Sequence, residues 1–416
     1  MTQGAEAGGA RTKLGASIWI GVWLLALGCV IAYVDRVNLS FAVIDKDFKH
    51  FFQISNTERG LVNSAFFWSY AALQIPAGWV VDRYGAKYPL AICFAVWSAL
   101  TAFTAFTTGF ETLFAVRLLL GAGEALMHPA SMRWIRYHIG EKRRGIAIGI
   151  YMSGSKFGPA LGATLSALLI QSYGWRAMFL ILGVAGMVWL LPWLFLARND
   201  GGTVAPVAGT SSAPDAPMRS LLASPILLGV IIGTFSYMYF VYFCMTWMPA
   251  YLQEARGLSL SASGFYTTFS FAGMAVMSIV GGLAADWIIG RGHDAIFVRK
   301  AFTIAGFLLA STEVFSPLLQ SLNLALIVSI FSLSGLGLAT ANYWALTQTL
   351  IPGNKTGRIV GIQNCAASVA GILAPIITGW LVQRTGGYAA AMEMVLFFLA
   401  CGVLSYAFLV RAPSRA

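Results

Sequence analysis

Along the 416 residues, long apolar runs alternate with short polar and basic stretches. The runs fall near 18–41, 59–81, 88–108, 111–136, 144–171 and 175–197, then near 224–252, 261–287, 298–318, 322–350, 356–384 and 388–410. Each is long enough to cross a hydrocarbon core of about 30 Å as an α-helix, which takes about 20 residues. The pattern therefore predicts an all-α polytopic membrane protein with twelve transmembrane helices. One stretch breaks the rhythm: NDGGTVAPVAGTSSAPDAP at 199–217 is rich in Gly, Ser, Pro and Ala and carries no helical apolar stripe. It divides the runs six and six. The predicted organisation is an N-terminal tail at 1–17, a six-helix bundle at 18–198, a linker at 199–222, a second bundle at 223–411 and a tail at 412–416.

The two halves resemble each other. A shift of 212 residues sets GIYMSGSKFGPALGATLSALLIQSYGWR (149–176) over GIQNCAASVAGILAPIITGWLVQRTGGY (361–388), pairing Gly149 with Gly361, Leu161 with Leu373, Gln171 with Gln383 and Gly174 with Gly386. A different shift aligns GWVVDRYG with GLAADWII and pairs Asp82 with Asp286. Both alignments join spans of the same rank in each half, the signature of two parallel six-helix repeats related by an axis along the membrane normal.

Composition supports the membrane premise, with 58% hydrophobic and 10% charged residues and a mean hydropathy of +0.74; no soluble domain needs that much apolar surface. Placing both termini in the cytoplasm puts 18 of the 27 Lys and Arg residues in inner segments and 6 in outer ones, with Arg36, Arg117 and Lys156 inside spans. That asymmetry is a positive-inside signal. It also accounts for the net charge of +11 without nucleic-acid binding. MTQGAEAGGARTKLGAS reads as a retained polar tail before a full-length span rather than a secretory signal. The five cysteines all lie within the apolar runs without metal-like spacing and read as small packing residues.

Four ionisable side chains stand where the chain should be in hydrocarbon: Asp35 and Arg36 in the first run, Arg117 and Glu124 in the fourth. Each charge at bilayer depth costs about 2.5–3.5 kcal/mol on insertion scales, so retaining four points to use. Arg36 offers a planar fork suited to a carboxylate. Asp35 points about 100° away around the same helix and need not touch the same ligand. Arg117 and Glu124 are two turns apart, too far to pair directly; Arg117 pairing with Asp35 would leave Glu124 as a second acid. His128 stands one turn beyond Glu124, either as a proton relay or as a packing residue before Pro129. Lys156, between Gly154 and Gly158, is either a second anchor or a snorkelling residue near the cytoplasm.

Several stretches together resemble the major facilitator superfamily and, within it, the anion:cation symporter family. The loop GWVVDRYGAK carries the superfamily resemblance. YVDRVNLSFA in span one, RLLLGAGEALMHPASMRWI in span four, GSKFGPALGA and YGWRAMF in spans five and six, and TWMPAYL in span seven carry the narrower one. That family includes bacterial sugar-acid importers and animal organic-anion and sialic-acid carriers; at the position of His128 it usually has an aromatic residue. The resemblance implies the major facilitator fold, working as a monomer in the inner membrane, and proton-coupled import of a small organic anion such as an aldonate, hexuronate or aldarate.

On this reading the expected proton-coupling set is Asp35, Glu124, Arg117 and His128. The expected substrate set is Arg36, Tyr33, Tyr70, Gln74 and Lys156 from the first half with Asn342, Trp344, Gln348, Gln363 and Asn364 from the second, since hydroxyl-rich acids need amide, phenol and aromatic partners. Asp82, Arg83, Arg143 and Arg144 are expected to latch a cytoplasmic gate, while Glu313 and Glu393 lie near span ends without a partner that spacing identifies. The partners are the substrate anion, protons and the lipid bilayer, with no cofactor, metal or nucleic acid, the driving force being a proton gradient. Aromatic carboxylates and small dicarboxylates fit the same cations. A drug or cation exporter of the same fold is disfavoured by Arg36 and Arg117. A polytopic enzyme is disfavoured by the absence of HExxH, CxxC or an aspartate-rich loop, and a transporter-like sensor would bind ligand without accumulating it.

Overall fold

The computed structural model describes residues 3–199, 224–350 and 356–410. Beyond Asn199, the linker expected at 199–222 lies outside the described residues, as does the tail at 412–416. Among the described residues there is no strand. The chain runs through α1 (Gln3–Ala42), a short α2 (Lys46–Phe52), α3 (Asn56–Tyr84), α4 (Lys87–Phe103), α5 (Phe110–Glu124), α6 (Met127–His138) and α7 (Glu141–Leu196). It continues through α8 (Pro225–Thr246), α9 (Leu260–Gly290), α10 (Ala295–Ala310) with a 3₁₀ extension at Ser311–Leu318, α11 (Leu322–Leu350), α12 (Thr356–Thr385) and α13 (Ala389–Leu404).

Nine segments among the described residues are long and apolar enough to cross a membrane. The longest, Arg143–Leu196, contains two expected spans, because Gly174 inside α7 adopts φ +82°, a conformation only glycine enters without strain. Expected span two is α3, and span four is α5 followed by α6, so helices occupy all twelve expected positions. The break between α5 and α6 falls at Ala125 and Leu126. Pro129 is its cause: it lacks the N–H that would bond the Ala125 carbonyl four residues back.

The chain divides into two compact units. The first holds α1, α2, α3 from Ala65 onward, and α4 to α7. Its central packing is α1 against the first half of α7, and the GSKFGPALGA stretch explains it. Gly154, Gly158 and Gly162 recur every fourth residue, so they form one stripe. A Cβ at Gly154 would lie 2.7 Å from the Ala26 carbonyl oxygen, one at Gly162 3.0 Å from Val34 Cα, and one at Gly158 would collide with Tyr33 Cβ. Small residues let the two backbones approach this closely, which presents Asp35 and Arg36 to the interior of the unit.

The second unit holds α8 to α13 together with Gln53–Ser64, the loop and first turns of α3. That segment is fastened there by Thr57 N–H donating to Gln383 Oε1 at 2.9 Å and by Arg59 Nη1 bonding Glu254 Oε1 at 3.0 Å. A Cβ at Gly60 would strike the Pro375 carbonyl. Within the unit α9 and α10 pack on α11, and α12 and α13 pack on α8.

Candidate functional site

The charged residues of α1 and α5 converge inside the first unit. Arg36 Nε donates to Glu124 Oε2 at 2.9 Å, with the side chains 5% and 0% exposed. The guanidinium carbon lies 4.5 Å from the centre of the Tyr33 ring and 4.7 Å from those of Phe66 and Tyr70. The guanidinium thus meets a carboxylate and the faces of three aromatic rings, which attract it through their negative faces.

Glu124, expected as a second acid, therefore has Arg36 as its direct partner. The expected Arg117–Asp35 pairing also differs: Arg117 Nη1 donates to the backbone carbonyl of Asp35 at 3.1 Å, while the Asp35 carboxylate accepts from Asn38 Nδ2 at 3.3 Å. The physical reason is reach. Asp35 and Arg36 diverge around α1, so the helix turns its peptide carbonyl, rather than the carboxylate, toward the Arg117 guanidinium. Asp35, Arg117 and Glu124 are each 2% exposed or less. Even so, Glu124 Oε1, Arg117 Nε and Asn38 Oδ1 are buried without a hydrogen-bond partner among the described residues.

A cavity of about 40 Å³ opens beside Arg36, bordered by Tyr33, Tyr70, His128, Tyr151 and Ser155. It has room for a water or a carboxylate head, not for a six-carbon acid. His128 reaches it because the break after Glu124 starts a new helix there, rather than continuing the α5 face. Its Nδ1 is 3.4 Å from the Tyr151 hydroxyl.

Lys156 and Gln74 do not border this cavity; both are half-buried. In the second unit, Asn342 and Gln363 are fully buried. Asn342 Nδ2 donates to the carbonyls of Leu338 and Gly281 at 2.8 and 3.3 Å. Gln363 Nε2 donates to Thr234 Oγ1 at 3.0 Å and Thr347 Oγ1 at 3.1 Å. Expected to contact substrate, these two amides use their nitrogens to tie helices together, α11 to α9 and α12 to α8 and α11, while Asn342 Oδ1 and Gln363 Oε1 are buried without a hydrogen-bond partner among the described residues. Trp344 and Asn364 are half-buried and Gln348 is exposed.

At the loop between α3 and α4, Asp82 accepts from Arg133 Nη1 at 3.3 Å. Arg83 lies 5.7 Å from the Trp79 and Tyr84 ring centres, Arg143 is exposed, and Arg144 Nη2 donates to the Arg136 carbonyl at 3.4 Å. Arg133, not expected in this role, is therefore what Asp82 meets within the unit. Phe66, Asn38 and Tyr151 were also missed. Asn38 carried a signal, standing one turn from Asp35 in the same YVDRVNLSFA stretch, and Tyr151 stands one turn before Ser155 on α7.

The family model described as Major Facilitator Superfamily matches residues 25–375. A D-galactonate transporter of Escherichia coli O6:H1 strain CFT073 is 30% identical, over 97% of this chain and 98% of its own length. A probable galactarate/D-glucarate transporter of Bacillus subtilis strain 168 is 29% identical, over 95% of this chain and 92% of its own. Among solved structures, a bacterial homologue of the human lysosomal transporter Spinster, in an inward-facing and occupied conformation, superposes with a TM-score of 0.79 at 19% identity, over 95% of this chain and 98% of that one.

Proposed function

The chain belongs to the major facilitator superfamily, a family of transporters and not of enzymes, and on that premise we propose that it is a proton-coupled symporter importing a sugar acid of the aldonate, hexuronate or aldarate type by alternating access. Relatives named for D-galactonate and for galactarate/D-glucarate support the substrate class. The observation that carries the mechanism is the Arg36–Glu124 pair inside its aromatic cage.

While Glu124 is ionised it occupies Arg36 and competes with any incoming carboxylate. A proton taken from the outer side onto Glu124 removes that competitor, and the guanidinium then receives the substrate carboxylate in its planar fork. On the inner side, at higher pH, Glu124 loses its proton, reclaims Arg36 and displaces the substrate. Coupling is the free energy by which protonation favours the loaded state, and by reciprocity the substrate favours protonation equally. Asp35, beside Arg117 and Asn38, is a second proton site on this reading, allowing up to two protons per anion.

Once the cavity beside Arg36 widens during the cycle, Tyr33, Tyr70, His128 and Tyr151 supply hydroxyl and ring partners for the polyol chain, and Trp344, Gln348 and Asn364 are the candidates from the second unit. Lys156 serves a second carboxylate if the substrate is a diacid. Asp82 with Arg133, and Arg83, Arg143 and Arg144 nearby, act at the cytoplasmic gate. The protein works as a monomer in the inner membrane, with both termini cytoplasmic and no cofactor, driven by the proton gradient.

Uptake of labelled galactonate, glucarate and glucuronate into proteoliposomes, with the lumen held alkaline, tests the reading. Accumulation of at least one above its equilibrium level is expected, and Asp35→Asn is expected to lose accumulation while retaining exchange. Binding without accumulation would turn the reading to a sensor. Accumulation undiminished in Asp35→Asn would remove that residue from coupling.

A further inference from the structure

A second buried carboxyl, in the second unit, is used by nothing described so far. Glu313, in the 3₁₀ extension of α10, is 1% exposed. Ser329 Oγ donates to its Oε1 at 2.9 Å and Ser332 Oγ to its Oε2 at 2.5 Å, both from α11. No cation bonds it directly among the described residues. Instead, a line of hydroxyls leads away. Ser329 Oγ is 3.2 Å from Ser316 Oγ, which is 2.7 Å from the Tyr251 hydroxyl, and that oxygen accepts from Arg256 Nε at 2.7 Å.

The direction of this line follows from proton counting, since each hydroxyl owns one proton. Arg256 can only donate, so the Tyr251 proton goes to Ser316. Ser329 spends its proton on Glu313, so Ser316 must donate to Ser329. Every donor then points toward Glu313, and the charge of Arg256 is conveyed to an ionised carboxylate across three hydroxyls.

The protonated form is equally provided for. Ser332 Oγ lies 3.1 Å from a second acceptor, the backbone carbonyl of Ser329. When Oε2 carries a proton it donates to Ser332 Oγ, and Ser332 turns its own proton to that carbonyl. Neither state leaves a carboxyl oxygen or the serine unsatisfied, which is unusual for a buried acid, where one state normally strands a donor or acceptor.

We propose that Glu313 is a proton-binding site of the second unit, with Ser332 as its two-way partner and the Ser329–Ser316–Tyr251 line connecting it to Arg256. Arg256, Tyr251 and Cys244, from α8 and the turn after it, lie within electrostatic reach of Glu313. Glu393, on the α13 helix that also packs on this segment, is exposed, and Glu254 on the same turn as Tyr251 is paired with Arg59. Proton binding at Glu313 is thereby tied to the turn that holds the start of α3 on this unit.

Infrared difference spectra of the full chain in lipid, without substrate, between alkaline and acid buffer test this directly through the carbonyl stretch of protonated carboxylic acids. One such band is expected in the wild type and absent in Glu313→Gln, with the other carboxyl bands kept. In Tyr251→Phe, which cuts the line to Arg256, the ionised form loses support, and the band is expected to appear at about tenfold lower proton concentration. Superimposable wild-type and Glu313→Gln spectra across the whole pH range in which the protein stays folded would overturn the proposal. If Glu313→Gln does not fold, Tyr251→Phe decides it: a carboxyl band that moves supports the site, and unmoved bands overturn it. The spectra need no substrate, so failure here leaves the Arg36–Glu124 mechanism standing, and failed uptake leaves this site standing.

Discussion

Glu124 and Glu313 are both carboxyls with almost no exposure, 0% and 1%, yet the two units house them in opposite ways. The first unit sets a guanidinium directly against Glu124 and leaves its other oxygen unpartnered. The second surrounds Glu313 with serines, satisfies both of its oxygens, and keeps the nearest guanidinium at the end of a hydroxyl line. A direct pair is a competitive arrangement, in which a ligand anion can replace the internal one. A satisfied hydroxyl shell has no vacancy for an anion and responds only to protons. On the proposed mechanism the first is an exchangeable ion-pair site, and on the further proposal the second is a proton-only site.

The largest effect should come from removing the cation of the first site. Arg36→Ala removes the direct partner of Glu124 and leaves the acid buried beside the more distant Arg117; breaking a buried pair costs about 3–5 kcal/mol when the acid stays charged. Substrate binding should vanish in calorimetry, and thermal stability should fall most at alkaline pH, where Glu124 is ionised. Wild-type affinity in this variant would remove Arg36 as the anchor.

Gly158→Val should come next, because its side chain must displace Tyr33 and push α1 from α7, at about 1–3 kcal/mol. Uptake should fall with stability, as the same move misplaces Arg36. As a control, Gly361→Val, where a Cβ meets nothing within 4 Å, should have little effect.

The smallest effect should be that of Gln363→Met, which deletes the tie from α12 to Thr234 and Thr347. Interhelical bonds of this kind average about 0.6 kcal/mol in membrane proteins. A slight loss of thermal stability with unchanged substrate affinity is expected; a large loss of affinity would return Gln363 to the substrate site.

How far these features could be read from sequence depended on whether a residue's environment or its partner was in question. Asp35, Arg36, Arg117 and Glu124 announced themselves as charges in apolar runs, and the helices stand where those runs predicted. Their pairing was not legible: Arg36 and Glu124 are 88 residues apart, and which two side chains meet depends on the rotation of α1 and α5. Spacing alone extended the Glu124 face to His128, although Pro129, present in the same stretch, breaks the helix between them. Asn342 and Gln363 looked like substrate amides because a polar residue in an apolar run serves a ligand or a neighbouring helix, and only packing distinguishes the two. Glu313 looked partnerless because its partners are serines, which are common in close-packed spans and give no charge signal to pair with it.

The proposed import cycle depends on Glu124 yielding Arg36 when it takes a proton. Substrate affinity measured against pH, in wild type and in Glu124→Gln, tests that step directly. Binding should tighten as pH falls in the wild type, since protons remove the internal competitor. In Glu124→Gln the slope of log Kd against pH should fall by about one proton per bound anion, any remaining slope belonging to Asp35. Identical slopes in the two proteins would contradict the account.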